Sequence, residues 1–247
     1  MVDYHSHLLP GIDDGAYALE ESLAMARALV AVGFTVAHCT PHLIKGAYET
    51  APGRVRELTA ILQKHYDEAG IALKLVPGTE HYLDEYLGDF LDEAVTVGES
   101  RCLLVEAPFR ASADVVAAHA DHLLQRGFVP LFAHPERCAA FAPASSGGGF
   151  LSGILGKRKG PVVEGTLLAK LKERGCRYQG NLGSFAGVYG EDIRQRAILF
   201  LENGIYSCLG SDAHRVDRLE AVLRRGIATV EEAVGKEGAA ALLQWRA

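Results

Sequence analysis

A chain of 247 residues, 49% hydrophobic and 23% charged, carries enough apolar material for one sizeable core, built as a single α/β barrel or as two small domains. Its 25 basic side chains against 31 acidic ones give a net charge of −6, so no global basic field recruits nucleic acid. Five scattered cysteines without a C-x-x-C pair favour reduced thiols over a disulfide frame or a thiolate zinc site, and there is no basic-then-apolar leader or bilayer-length apolar run (the longest, Leu23 to Ala37, is broken by Arg27 and Gly33), so the expectation is a cytoplasmic protein with no membrane insertion.

Short β-like runs alternate with longer helical ones. Val2–His7 reads as a strand, and Leu19–Val32 as a helix stopped by Gly33. Thr35–Thr40 is the next strand, followed by a helix from Pro52 to Ala69 that ends at Gly70. Ala72–Val76 reads as a strand, Leu83–Phe90 as a short helix and Cys102–Glu106 as a strand. Ala113–Gln125 is a helix ending at Gly127, and Val129–Ala133 a strand. Pro143 to Gly165 breaks the rhythm. It holds Ser145-Ser146-Gly147-Gly148-Gly149 and then Lys157-Arg158-Lys159, reads as a flexible loop or flap, and lacks the G-x-x-x-x-G-K-[ST] pattern of a phosphate cradle. Beyond it come a helix over Leu167–Arg174, a strand over Tyr178–Asn181, a helix over Asp192–Asn203, a strand over Tyr206–Leu209, and two helices over Leu219–Val234 and Glu237–Trp245. No linker or repeat interrupts the series, so residues 1–247 read as one α/β domain. Seven strands in one alternation favour a distorted (β/α)7 barrel, with its active site at the C-terminal ends of the strands.

The chemistry-bearing residues sit at those strand ends. His5 and His7 close the first run, and Asp212 and His214 follow the last. Residues i and i+2 of a strand project from one face, so each pair can aim two side chains at one point. Asp14, His42, Glu80, Glu106 and His134 lie beside other strand ends. Imidazole and carboxylate together suit zinc, manganese and iron, whereas calcium and magnesium sites are nearly all oxygen. A lone histidine at a strand end is more often core or surface than ligand; His65, His81, His119 and His122 take that reading, and His38 reads as packing within its strand. Asp13-Asp14-Gly15 alone would be a turn, and Ser211-Asp212 alone a helix cap. The coincidence of several such groups at successive strand ends points instead to a polynuclear metal site.

The ordered set of motifs resembles the polymerase and histidinol phosphatase (PHP) metallohydrolases. It looks most like the manganese-dependent PHP-type protein-tyrosine phosphatases that accompany capsule and exopolysaccharide synthesis in bacteria. The matching stretches are Asp3–Leu8, Asp13-Asp14-Gly15, Ala16–Ala28, Thr40-Pro41-His42, Gly78-Thr79-Glu80, His134–Arg137, Gln179–Ser184 and Gly210–His214, spread over nearly the whole chain. The resemblance implies three divalent metal ions, manganese first, with iron or zinc as alternatives. One would take His5, His7, Glu80 and Asp212; a second Glu80, Glu106 and His134; a third Asp14, His42 and His214. Arg137, with Arg215 or Arg218, would clamp phosphate oxygens through planar forks. The chain departs from the family in its long glycine-rich insertion at Pro143–Gly165, and in leaving two candidates, Arg215 and Arg218, for the basic residue after the last motif.

Phosphate chemistry agrees with this charge arrangement. Asp14, Glu80, Glu106 and Asp212 against three divalent ions leave about +2, which attracts a phosphate dianion even in an acidic protein. Such metals would lower the pKa of a bridging water so that hydroxide attacks phosphorus in line with the leaving phenolate. No cysteine begins a C-x5-R loop of thiol-based tyrosine phosphatases, and no D-x-D strand end of aspartyl-phosphate enzymes is present. The expected activity is hydrolysis of phosphotyrosine on the tail of a bacterial tyrosine kinase. The alternatives are a small-molecule phosphatase acting on histidinol phosphate, a PHP-type nuclease, which the acidic balance disfavours, and a metal-binding module without turnover. The oligomeric state stays open.

Overall fold

The structure, a computed structural model, describes residues 1–143 and 163–245. The insertion expected over Pro143–Gly165 therefore falls, for residues 144–162, outside the described residues. The described strands are β1 (Val2–Ser6), β2 (Val36–Cys39), β3 (His42–Leu43), β4 (Lys74–Pro77), β5 (Glu80–Tyr82), β6 (Cys102–Glu106), β7 (Val129–Ala133), β8 (Arg177–Asn181) and β9 (Cys208–Gly210). Every strand pairing is parallel, in the orders β1-β2-β4 and β3-β5-β6-β7-β8-β9. First and last strands also meet: Ser6 bridges Ala213, the Asp212 amide donates to the His5 carbonyl at 2.8 Å, and the His7 amide to the Ala213 carbonyl at 3.0 Å. The result is a curled parallel sheet with helices outside.

Two short strands escaped the periodicity. β3 and β5 follow the second and third runs after bends at Thr40-Pro41 and Gly78-Thr79. Pro41 has no N–H with which to continue a ladder. Gly78 lies so close to Thr40 that a Cβ there would stand 2.9 Å from its Cγ2. The bends place His42 opposite Glu80 in parallel register, so two candidate ligands from distant sequence become neighbours.

The helices are α1 (Leu19–Val32), α2 (Pro52–Glu68), α3 (Ala113–Gln125), α4 (Leu167–Glu173), α5 (Leu182–Phe185), α6 (Glu191–Glu202) and α7 (Leu219–Leu242). In α1, Ser22, Met25, Ala26 and Leu29 are buried, the i, i+3, i+4, i+7 stripe of an amphipathic helix, and Gly33 ends it in the left-handed region at φ 107°. Proline begins α2, where its missing N–H costs no helical bond, and the Ser112 hydroxyl caps α3 by accepting from the Val115 amide. Leu83–Phe90 forms only a 3-10 turn over Leu87–Phe90. The two helices expected at the C-terminus are both present within the span α7, separated at Gly235, whose φ 76° and ψ 166° are not helical. The four-residue α5 was not foreseen; Asn181 caps it by accepting from the Gly183 and Ser184 amides.

Burial on both faces explains the nearly continuous apolar runs of β6 and β7. Leu103, Val105 and Phe132 belong to the outer layer under the helices. Cys102, Leu104, Leu131 and Ala133 join Tyr4 and Cys208 in a smaller cluster on the inner side. Each fully buried leucine contributes roughly 1.5–3 kcal/mol, so this two-layer core gives the strand ends a stiff base. Alternation continues Cys102 and Leu104 to Glu106, which emerges where the inner apolar layer stops.

Candidate metal centre

The nine candidate ligands come together around one pocket. His5 and His7 arrive from the end of β1, which carries a register irregularity between Asp3 and Ser6. Glu80 opens β5, Glu106 ends β6, and His134 follows β7. Asp212 and His214 follow β9, His42 opens β3, and Asp14 stands on the turn after β1. His5 and Glu80 are wholly buried, His7, His134 and Asp212 nearly so, while Asp14 is half exposed at the mouth. His134 and Asp212 take left-handed backbone at φ 32° and 51°, a conformation uncommon for non-glycine residues that turns each side chain in toward the pocket at the end of its strand.

The innermost atoms form a tight cage. His5 Nε2 lies 3.1 Å from His7 Nε2 and 3.2 Å from Glu80 Oε2. Asp212 Oδ1 is 3.5 Å from both imidazole nitrogens, and His7 Nε2 is 3.5 Å from Glu80 Oε2. Donor atoms that share an ion at about 2.1 Å stand about 3.0–3.4 Å apart in octahedral or tetrahedral geometry. The outer nitrogens decide the tautomers. His5 Nδ1 meets Gln179 Oε1 at 2.9 Å and His7 Nδ1 meets Asp13 Oδ2 at 2.7 Å; both partners are acceptors, so both Nδ1 atoms carry the proton. In the neutral rings two Nε2 lone pairs then face each other at 3.1 Å, which is repulsive unless a cation or a shared proton lies between them. Glu80 Oε2 is buried without a hydrogen-bond partner; His42 Nδ1 approaches it to 2.9 Å but is not aligned to bond it. This donor set fits a metal.

Glu80 faces two ways. Its Oε1 lies 3.2 Å from His134 Nε2, which in turn is 3.7 Å from Glu106 Oε1. The outer group is looser: Asp14 Oδ1 is 3.4 Å from His42 Nε2 and 3.2 Å from His214 Nε2. Burial opposes charge on His5, yet the Glu80 and Asp212 carboxylates beside it raise its pKa to about 9. The same opposition, overcome by Asp13, Asp212 and Glu80, raises His7. Burial alone would push the Glu80 and Asp212 carboxyls up, but the facing histidines hold both well below the usual range. A centre that demands positive charge so strongly suits a divalent cation, and cation and protons compete for the same nitrogens.

Around the ligands stands a ring of supporting groups to which the sequence reading assigned no role. Asp13 accepts from the Gly15 and His42 amides as well as from His7. Asn181 Nδ2 donates to Asp212 Oδ2 at 2.7 Å, and buried Asp3 accepts from the Ser211 amide and hydroxyl. Asp13, Gln179 and Asn181 lie within the quoted motifs, but what identifies their part is burial at a strand end, which one sequence does not reveal.

Arg137 Nη1 donates to Asp212 Oδ2 at 2.8 Å and lines the same pocket, a cavity of about 260 Å³ bordered also by Tyr48 and Phe109. The Arg215 guanidinium carbon lies 3.6 Å from the centre of the Tyr17 ring, and its Nη1 donates to the Gly15 and His214 carbonyls, so this side chain staples two loops. Arg218 is exposed and lines a separate surface hollow with Val216 and Arg224. His81 is buried in the core, and His38 packs against Tyr4. All five cysteines are buried, and burial pushes every thiol upward. Among the described residues no helix is long and apolar enough to cross a membrane.

Comparison with known proteins extends these observations. The family model for capsular polysaccharide synthesis, CpsB/CapC, matches residues 1–145. Tyrosine-protein phosphatase YwqE of Bacillus subtilis is 30% identical over 243 residues, covering 96% of this chain and 86% of the relative. Tyrosine-protein phosphatase CpsB of Streptococcus pneumoniae is 26% identical, with 88% and 84% covered. A chain from the crystal structures of YwqE and CpsB, described there as unique metal-dependent tyrosine phosphatases, superposes with a TM-score of 0.81 at 27% identity, covering 99% of this chain and 94% of that one. The histidinol phosphate phosphatase of Lactococcus lactis shares the fold at a TM-score of 0.57 and 14% identity, over 94% and 93% of the two chains.

Proposed function

We infer the function from the premise that this chain belongs to the CpsB/CapC family of capsular polysaccharide synthesis proteins: it is a metal-dependent tyrosine phosphatase. The observation that carries this is the buried cage of His5, His7, Glu80 and Asp212, whose donor atoms converge at 3.1–3.5 Å with both imidazole lone pairs turned inward. In our reading residues 1–247 form one catalytic domain, because its two ends, His5 and His214, supply the same site. The curled sheet reads as a seven-segment barrel if β2 with β3 and β4 with β5 count as bent single strands; the Ser6–Ala213 bridge supports that closure.

Three ions would be held, the first by His5, His7, Glu80 and Asp212, the second by Glu80, Glu106 and His134, the third by Asp14, His42 and His214. Mixed imidazole and carboxylate donors favour manganese, with iron or zinc as alternatives. Bound there, divalent ions supply Lewis acidity toward phosphate oxygens and a water of lowered pKa. Asp13 and Gln179 hold the first two imidazoles in the metal-facing tautomer. Asp212 divides its oxygens, Oδ1 toward the His5 and His7 nitrogens, where it would help hold an ion, and Oδ2 toward Asn181 and Arg137. Arg137 offers its remaining N–H groups to the phosphate oxygens, whose charge they stabilise. The substrate is the phosphotyrosine tail of a bacterial tyrosine kinase of capsule production, an aryl phosphate that the pocket between Tyr48 and Phe109 has room to admit.

Turnover of p-nitrophenyl phosphate by the manganese-loaded chain, its loss in chelator and its return on adding manganese are the expected results. A phosphotyrosyl peptide should be preferred to histidinol phosphate and to an oligonucleotide. Full activity after verified metal removal, or stronger activity on either competitor, would overturn the assignment.

A further inference from the structure

Two aromatic rings lie against Arg137. Its guanidinium carbon lies 4.7 Å from the centre of the Phe109 ring and 4.4 Å from that of Tyr189. The three residues come from separate segments: Phe109 from the loop after β6, Arg137 from the 3-10 turn after β7, and Tyr189 from the stretch between α5 and α6. The Arg137 side chain is largely buried by this stack, whereas Phe109 and Tyr189 remain 47% and 40% exposed. Large aromatic rings left that open contribute little to a core, so core packing does not account for their position. Tyr189 is seated against Gly183, where a Cβ would come within 3.3 Å of its ring. Phe109 also leans toward His134, with ring centres 6.3 Å apart.

The consequence is orientational. A free arginine samples many rotamers, and ordering it when substrate arrives opposes binding. Here the Asp212 carboxylate accepts from Nη1, and two ring centres lie within 4.7 Å of the guanidinium carbon, close enough for cation–π contact. We propose that Phe109 and Tyr189 are positioning residues that clamp the Arg137 guanidinium flat, so that its free N–H edge is already aligned when a phosphate enters the pocket. This rests on the phosphatase reading above and adds to it two residues that act on the phosphate through Arg137, Phe109 doing so from the pocket wall.

A double-mutant cycle on the manganese-loaded full chain separates clamping from general packing. Phe109→Leu and Tyr189→Leu together should lower kcat/KM for p-nitrophenyl phosphate about ten- to a hundredfold while metal content stays that of wild type. The same pair introduced into Arg137→Ala should cost less than about threefold, because no fork remains to be aligned. Phe109→Tyr and Tyr189→Phe, which keep the rings, should weaken inorganic phosphate binding far less than the leucine pair does. Calorimetric titration with inorganic phosphate should show the leucine pair weakening phosphate binding nearly as much as Arg137→Ala does. Equal losses in both backgrounds would show that the rings serve packing. Unchanged phosphate affinity and turnover in the leucine pair would likewise overturn the clamp. If the wild-type chain has no metal-dependent turnover the phosphatase reading fails, and phosphate titration still decides the clamp.

Discussion

Asp13 shows how a residue outside the coordination sphere sets what a ligand can do. Its Oδ2 accepts from His7 Nδ1 at 2.7 Å and so leaves the His7 Nε2 lone pair toward the pocket. Asp13→Ala should weaken metal affinity about ten- to a hundredfold with the fold retained. Competition against a calibrated chelator measures this, and an unchanged affinity would remove Asp13 from the centre. Glu80→Ala should behave differently, losing metal and activity together, since Glu80 Oε1 and Oε2 face separate ligand groups. Arg137→Ala should keep its metal and lose about 2–4 kcal/mol of transition-state stabilisation, read from kcat/KM. These contrasts separate holding the ions from holding the substrate.

Helix α7 carries the site's outer support on one glycine. A Cβ at Gly226 would collide with the Leu182 carbonyl oxygen, so α7 and α5 approach more closely than any side chain allows. The first residue of α5 follows Asn181, whose side chain caps that helix and also donates to Asp212. Gly226→Ala should therefore cost about 1–3 kcal/mol of stability by overpacking. It should also lower metal affinity, because moving α5 moves the partner of Asp212. Urea unfolding of the apo protein gives the first quantity and chelator competition the second. A stability loss with metal affinity intact would show that α5 yields without shifting Asn181.

At the scale of the whole molecule, stability and acidity are linked through buried neutral imidazoles. Burial lowers His38 from 6.5 to about 4. The unfolded chain takes up that proton below pH 6.5 while the folded chain refuses it until about 4, so this contribution is complete above pH 6.5 and is lost as pH falls toward 4. The loss amounts to roughly 3 kcal/mol at the acid end. His38→Phe should remove the dependence and keep an aromatic ring against Tyr4 at a stacking distance of 5.4 Å. The difference in urea midpoint between variant and wild type should widen in favour of the variant from pH 7.5 to 5; parallel curves would show that His38 does not carry it.

Much of this was written in the chain itself. Short continuous apolar runs and stripes of period 3.6 determine β6, β7, α1 and α3 because burial acts locally, and their ends coincide with the turn and cap residues that stop them. The i, i+2 pair at His5/His7 announces metal chemistry for the same reason, since it sits at the end of a strand, whereas Asp212 and His214 lie past β9 and reach the site through a left-handed turn at Asp212. What only the tertiary structure decided depends on contacts between distant segments. The bends at Pro41 and Gly78 that set His42 beside Glu80, the Asp13 and Gln179 acceptors that choose the imidazole tautomers, and the diversion of Arg215 onto loop carbonyls all require neighbours far apart in sequence. Periodicity records which face of an element is buried, but which groups meet across that burial is settled only when the sheet curls and its two ends join.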